Sequence, residues 1–185
     1  MRLLPILKPA EWNGISRGAR VHMWLGSTNE PLVFVGYAWE SDEELTYVTR
    51  QADDDPNAIV KVAFENLEVY EVGLETVAMN GSKLVVSAGN PFAAEKVLCE
   101  SHMLEVHDLL ASEKVVVSIA KRGAMLASAW DCPPEARATL INLHLEAWKT
   151  ADHSEVITDH LVVFEAGVRS STLAVSTNGE VDGWL

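Results

Sequence analysis

The segment from Cys132 to Thr150 constrains the fold of this chain most, because it carries both a helix start signal and a helical apolar period. Pro133 and Pro134 fall in the first turn of such a helix, where a missing N–H costs nothing and a fixed φ is favourable. Asp131 or Cys132 is the predicted N-cap. When residues are placed at about 100° intervals, the apolar side chains cover an arc of about 220°. The sequence therefore predicts a helix that is buried on most of its circumference.

Two polar residues, His144 at the centre of the arc and Arg137 seven residues earlier, lie on the apolar face of this predicted helix. A buried arginine needs a charged partner, and a buried histidine needs a hydrogen-bond partner for each ring nitrogen. One interpretation is structural, with His144 bonded to a backbone carbonyl group. Arg137 would then pair with Glu165 or Asp159 on a neighbouring strand. The other interpretation is that His144 and Arg137 line a pocket and bind a ligand.

The first half of the chain is rich in segments typical of β-strands. After an extended or irregular lead-in over residues 1–20, strands are predicted at 19–26, 32–39, 45–50 and 84–89. The segment 32–39 is apolar on both faces, which predicts a central strand. Asn80-Gly81 is the strongest hairpin signal, because both residues tolerate a positive φ. Residues 58–79 fit a helix or strands, and their β-branched residues favour strands.

The second half of the chain alternates helices and hairpins. Its predicted elements are a helix at about 91–111, a hairpin at 114–130, the helix at about 133–150 and a hairpin at 156–177. These strands follow one another too closely for parallel crossovers. The predicted fold class is α+β, with mainly antiparallel sheets and two principal helices packed on one face. A change in composition near residue 90 predicts a β-rich half (1–90) and a helix–hairpin half (91–185), with one compact domain (1–185) as the alternative.

The net charge of −13 limits the classes of partner. Acidic residues are spread through both halves without an offsetting basic stripe, so nucleic acid and anionic membranes would be repelled. A basic partner protein would be attracted. No apolar run approaches the roughly 20 residues that span a bilayer, and the N-terminal apolar run is too short for a signal peptide. Since Cys99 and Cys132 show no CxxC spacing, the sequence predicts a cytoplasmic protein with reduced thiols.

Sequence motifs for nucleophilic or cofactor chemistry are absent or incomplete. The chain has no Walker loop, dinucleotide glycine fingerprint, HExxH motif or nucleophile elbow. Ser118 to Lys121 matches an SxxK pattern, but its companion SDN and KTG elements are missing, so the match is interpreted as coincidence. No catalytic residue and no cofactor is predicted.

Three groups of residue types that can bind metals have unsuitable spacing. The aspartates within 52–57 lack the alternating ligands of a calcium loop. Asp152 and Asp159 each precede a histidine, but they would point to opposite faces of a strand. His102 and His107 are five residues apart, whereas helical ligands are usually three or four apart. The sequence therefore predicts no metal site.

These features favour a non-catalytic, acidic cytoplasmic protein that binds a partner protein. Its size, charge and α+β layout are broadly those of immunity proteins and secretion chaperones, and a basic partner is expected. The missing enzyme motifs favour binding over catalysis. The alternative is a small enzyme or small-ligand-binding domain that uses His144 and Arg137. Homo-oligomerisation is compatible with either function.

Overall fold

A computed structural model describes residues 1–41, 44–50 and 55–184. The chain forms two compact units, Met1–Glu71 and Val72–Leu185. Both contain antiparallel sheets and helices, so the predicted α+β class is confirmed. Among the described residues, no helix is both long enough and apolar enough to cross a membrane.

The first unit is an antiparallel sheet with one helix. Its elements are β1 (Arg2–Pro9), β2 (Val21–Gly26), β3 (Pro31–Glu40), β4 (Leu45–Tyr47) and α1 (Pro56–Glu68). The predicted central strand is confirmed, because β3 pairs with β1 over most of its length, with β2 through its first half and with β4 near its end. The lead-in over residues 1–20, predicted to be extended or irregular, begins with the strand β1.

The prediction of strands over 58–79 is wrong for its first part, which forms α1. The carboxylate of Asp55 caps this helix by accepting a hydrogen bond from the Asn57 N–H (2.9 Å), and a proline opens the first turn. Ala63 and Leu67, one turn apart, are fully buried on a helix that packs against β1. The cap and this packing outweigh the weak strand preference of the β-branched residues.

The second unit is a six-stranded antiparallel sheet with helices. Its elements are β5 (Glu75–Met79), β6 (Ser82–Ala88), a 3-10 helix (Glu95–Leu98), α2 (Glu100–Leu110), β7 (Lys114–Ser118), β8 (Ala124–Ala129), α3 (Pro134–Thr150), β9 (His160–Glu165) and β10 (Val168–Ala174). The strand order is β10-β9-β7-β8-β6-β5. All neighbouring strands pair antiparallel, as the short connections predict.

The predicted hairpins form in this unit. Asn80 and Gly81 join β5 to β6 with φ values of 49° and 78°. Both are positive, as a two-residue hairpin of this type requires. The hairpins β7–β8 and β9–β10 also form at the predicted places.

The helices α2 and α3 lie on opposite faces of the sheet, which corrects the prediction that both pack on one face. Val116 of β7 and Val163 of β9 cluster with Leu140 of α3. Successive strand residues point to opposite faces, so Val117 and Phe164 face the other side. They are buried as well, and α2 contacts β6, β7 and β8.

The helix predicted at 91–111 is two elements. The 3-10 helix and α2 are separated by Cys99, whose backbone is extended (φ −99°, ψ 115°). Five apolar residues spaced through this segment are nevertheless all buried; they are Phe92, Cys99, Met103, Val106 and Leu110.

The helix predicted at 133–150 is confirmed as α3, with a different cap and a narrower buried face. Pro133 is the N-cap, in place of Asp131 or Cys132, and no side chain caps the helix. Its buried residues are Ala136, Leu140, Ile141, His144 and Leu145. They form a single stripe, so the predicted burial of most of the circumference was too wide.

The larger sheet crosses the predicted division near residue 90, because β6 pairs with both β5 and β8. The boundary between the compact units falls after Glu71. Compactness does not test independent folding, so the division into 1–90 and 91–185, like the single domain 1–185, stays a prediction.

Candidate functional site

The polar centre of α3 is a buried pair, His144 and Ser118. Ser118 is the last residue of β7 and lies on the same face as Val116, toward α3. Its Oγ is 2.8 Å from His144 Nδ1. His144 is 0% exposed and Ser118 is 3% exposed. Neither water nor a solute therefore reaches this hydrogen bond from solvent.

Burial lowers the pKa of His144 below its ordinary value of 6.5. A backbone contact and the carboxylate charge of Asp159 oppose this shift, and His160 adds to it. By distance and angle, Nε2 has no hydrogen-bond partner among the described residues, so the Asp159 backbone contact is weak. Because desolvation is the largest effect, the imidazole is neutral at pH 7.

The hydrogen-bond partner of His144 Nδ1 is the hydroxyl of Ser118, and the backbone partner predicted from the sequence corresponds only to the weak contact with Asp159. Sequence reasoning noticed Ser118 only as part of an SxxK match. A usable signal was present, because Ser118 ends a run of buried valines, and most buried hydroxyl groups in proteins have a hydrogen-bond partner.

Arg137 is half-buried, and its partners are not the predicted ones. Its Nη1 donates to the carbonyl oxygen of Trp184 (3.1 Å), and its guanidinium lies 5.2 Å from the centroid of that indole. The expected partners are engaged elsewhere. Glu165 pairs with Lys114 (3.1 Å), and Asp159 pairs with His160 (2.7 Å). The prediction that either carboxylate pairs with Arg137 is wrong.

His144 and Arg137 do not make a shared site in this arrangement. Two helical turns, or about 10 Å of helix rise, separate them. His144 contacts β7, whereas Arg137 contacts the C-terminal segment at Trp184. Their contacts are those of internal packing, and ligand binding by this pair stays a prediction.

The other candidate residues are dispersed. Cys99 and Cys132 are both buried. Across residues 1–41, 44–50 and 55–184, no three or more His, Cys, Asp or Glu side chains are grouped as a metal would need. Within the aspartate segment 52–57, residues 52–54 lie outside the described residues, and Asp55 caps α1.

A cleft of about 1020 Å³ lies beside the C-terminal end of α2, and sequence reasoning missed it. We call it the α2 cleft. Its lining residues are His107, Asp108, Ala111, Ser112, Glu113, Lys114, Glu165 and Ala166. All belong to the second unit, and they come from the end of α2, the start of β7 and the end of β9. No local pattern joins residues 107–114 to residues 165–166, because only strand pairing brings them together.

His107 is the most buried polar residue of the α2 cleft, at 7% exposure. Its Nδ1 is 2.7 Å from the carbonyl oxygen of Ser112. A carbonyl oxygen only accepts, so Nδ1 carries the proton and donates. In the neutral ring, Nε2 is then an acceptor. This Nε2 is buried and has no hydrogen-bond partner in the described part of the chain.

The charges of the cleft are mainly negative. Asp108, Glu113 and Glu165 are exposed carboxylates, and Lys114 is the one lysine or arginine among the described residues that line the cleft. Lys114 Nζ lies 3.1 Å from the Glu165 carboxylate and 3.9 Å from the centroid of the Trp130 ring. This region therefore already holds one cation, the ammonium group of Lys114, between a carboxylate and an aromatic ring.

Comparisons of the chain with protein-family models, with curated proteins and with solved structures give no match. The class that the structure defines is therefore a two-unit α+β protein with antiparallel sheets. A fold class does not define a function, which depends on the residues of the site.

Proposed function

We propose that this chain is a non-catalytic acidic protein that binds a basic partner protein. The observation that carries the proposal is an exposed acidic surface on α2. Glu100, Glu105 and Asp108 are exposed, and Leu104 among them is 43% exposed. Residues four apart on a helix are neighbours, so Leu104 lies directly between Glu100 and Asp108. We call these four residues the acidic α2 face.

This face has the composition of a contact surface for a basic protein. Carboxylates steer an oppositely charged partner and set its orientation, and an apolar side chain among them provides area to bury. The net charge of −13 extends the same field over the rest of the protein. An immunity-protein or chaperone-like role in the cytoplasm belongs to this proposal, with the acidic protein covering a basic surface of its partner.

The alternative, an enzyme or ligand-binding domain that uses His144 and Arg137, has less support. A general base must come within hydrogen-bond reach of the proton that it removes. The ring of His144 is 0% exposed, and its Nδ1 is already bonded to Ser118. Catalysis there would need an opening of the core between α3 and β7.

The proposal is tested by affinity isolation from the native cell at two salt concentrations. At about 0.01 M salt the Debye length is about 30 Å, and at about 1 M it is about 3 Å. A basic partner should be retained at the low concentration and released at the high one. The test variant changes Glu100→Gln, Glu105→Gln and Asp108→Asn together. This variant keeps the shape of the acidic α2 face and removes its charge.

A matched control removes three exposed carboxylates elsewhere in the second unit, with Glu135→Gln, Glu146→Gln and Glu180→Gln. The control should retain the partner that the test variant loses. Recovery of no salt-sensitive basic protein by the wild type would overturn the proposal. Equal loss in the two triple variants would also contradict it, because net charge alone would then account for binding.

A further inference from the structure

We propose that the α2 cleft is a binding site for one cationic side chain, arginine or lysine, of a basic protein. The inference rests on the proposed function for the identity of the partner. The chemistry of the cleft itself depends on His107, the three carboxylates and the position of Lys114.

The size of the α2 cleft suits a side chain with its neighbouring backbone. Its volume of about 1020 Å³ is slightly above the range of small-ligand pockets, which measure about 300–1,000 Å³. The cleft lies next to the acidic α2 face, because Asp108 belongs to both. A partner that docks on the face would therefore present its side chains at the cleft mouth.

The unsatisfied acceptor of His107 indicates what kind of group enters. Arginine and lysine side chains carry only donors, and a neutral Nε2 is an acceptor. A buried acceptor without a partner is unfavourable, so a donor that reaches it is favoured. Nε2 is closed to solvent in the unbound structure, so a donor reaches it only when the groups that cover it move. The bond from Nδ1 to Ser112 fixes the ring while this happens.

The charges select a cation over an anion. The lining carries three carboxylates, Asp108, Glu113 and Glu165, and one ammonium group, Lys114, so negative charges outnumber positive ones. An incoming guanidinium group can form two parallel hydrogen bonds with one carboxylate through its planar fork of N–H groups, whereas lysine lacks this fork and binds as a compact charge. Arginine is therefore the expected preference. Lys114 is the internal competitor, because it already occupies Glu165 at 3.1 Å.

The test uses purified full-length protein and small probes, with no need for the partner. The probes are the capped tripeptides acetyl-Gly-Arg-Gly-amide and acetyl-Gly-Lys-Gly-amide, and the same peptide with citrulline, the uncharged analogue of arginine. NMR follows the His107 ring nitrogens and the amides of residues 107–114 and 165–166. Saturable shifts are expected with the arginine probe, with affinity about tenfold higher than for citrulline. Equal affinity for citrulline, or the absence of saturable shifts, would overturn the proposal.

Cleft variants make the test specific. Glu113→Gln with Glu165→Gln should weaken arginine binding about tenfold, whereas the control Glu135→Gln with Glu146→Gln should not. His107→Asn retains a donor in the place of Nδ1 and lacks Nε2, and it should weaken binding several-fold without unfolding. If the control pair weakened the affinity for the arginine probe equally, the proposal would be contradicted, because the affinity would then depend on the net charge of the protein and not on the cleft.

Lys114→Met gives a change in the opposite direction. Methionine keeps an apolar stem against Trp130 and releases Glu165, so arginine binding should become several-fold tighter. Unchanged or weaker binding would count against the proposed competition and so against the site. The two proposals fail separately. If the probe binds the cleft but no partner is recovered, only the proposed function is overturned. If a salt-sensitive partner is recovered and binds the cleft variants as it binds the wild type, only the proposed cleft site is overturned.

Discussion

Substitution of Ser118 by alanine should destabilise the second unit, because it leaves His144 without its hydrogen-bond partner. The lost bond is 2.8 Å long, and both side chains are at most 3% exposed, so water cannot replace the hydroxyl. Removing one partner of a buried hydrogen bond costs about 1–3 kcal/mol. We expect about 2 kcal/mol here, a large share of the roughly 5–15 kcal/mol by which a domain is stable.

Ser128→Ala is the matched control for this prediction. Ser128 is also a buried serine, 1% exposed, in the strand that pairs with β7. Its Oγ has no hydrogen-bond partner among the described residues. Removing a hydroxyl that bonds nothing should leave the free energy of unfolding unchanged or slightly raised. The two substitutions are chemically identical, so their difference isolates the contact with His144.

Native-state amide exchange on β7 and α3 is the appropriate assay. A chain with two compact units need not unfold in a single transition. Tryptophan fluorescence would report the unfolding of both units in one signal, because both units contain tryptophans. Amide exchange reads the opening free energy of each element separately. The reasoning is refuted if Ser118→Ala and Ser128→Ala change that free energy equally. It is also refuted if Ser118→Ala still costs about 2 kcal/mol in a His144→Phe background, where no imidazole remains to lose its partner.

Three further predictions concern pH and backbone strain. Burial lowers the pKa of His144 in the folded state. As the pH falls below about 6.5, the unfolded state therefore takes up a proton before the folded state does, and the stability that this residue contributes is lost. The difference in unfolding free energy between wild type and His144→Gln should therefore shrink from pH 7 to about pH 5, and a constant difference would show that the ring does not titrate as argued. Burial raises the pKa of Tyr37 to about 12, so its absorbance change should come at a higher pH than that of a tyrosine with the ordinary pKa of about 10. Its stabilising effect should fall as the pH rises above about 10, because the unfolded state loses the proton first. Tyr37→Phe should remove the absorbance step near pH 12. In urea unfolding, Gly167→Ala should lower the free energy of unfolding more than Gly81→Ala does, although the two glycines have similar φ values of 79° and 78°. A Cβ at Gly167 would lie 2.9 Å from the Leu104 side chain, whereas a Cβ at Gly81 meets nothing within 4 Å. In a Leu104→Ala background, Gly167→Ala should lose no more stability than Gly81→Ala. If the two substitutions cost the same free energy in the wild type, backbone strain of about 1–2 kcal/mol is their only effect.

Elements that depend on neighbouring residues were predictable from the sequence. Asn80-Gly81 specified a hairpin because the preference for positive φ belongs to those two residues. Pro134 and the 3.6-residue period specified α3. The apolar character of β3 specified a central strand, although its partners were not known. The α+β class followed from such local signals and from the short connections between strands.

Where local signals were balanced, packing decided. Residues 58–68 contain β-branched residues that favour a strand, yet they form part of α1, because Asp55 caps it and Leu67 is buried. The placement of α2 and α3 on opposite faces of one sheet is also a tertiary result. An amphipathic pattern shows that a helix buries a face, and it does not show which face of the sheet receives it.

The sites depend on the tertiary structure still more strongly. The sequence by itself determined that His144 and Arg137 lie on the buried side of a helix, and that both need partners. Those partners are Ser118, 26 residues away, and Trp184, 47 residues away. The α2 cleft likewise needs Glu165 to be brought beside Lys114 by strand pairing. Periodicity and turn chemistry act over a few residues, whereas these contacts are fixed by sheet order and register, and only the folded chain determines those.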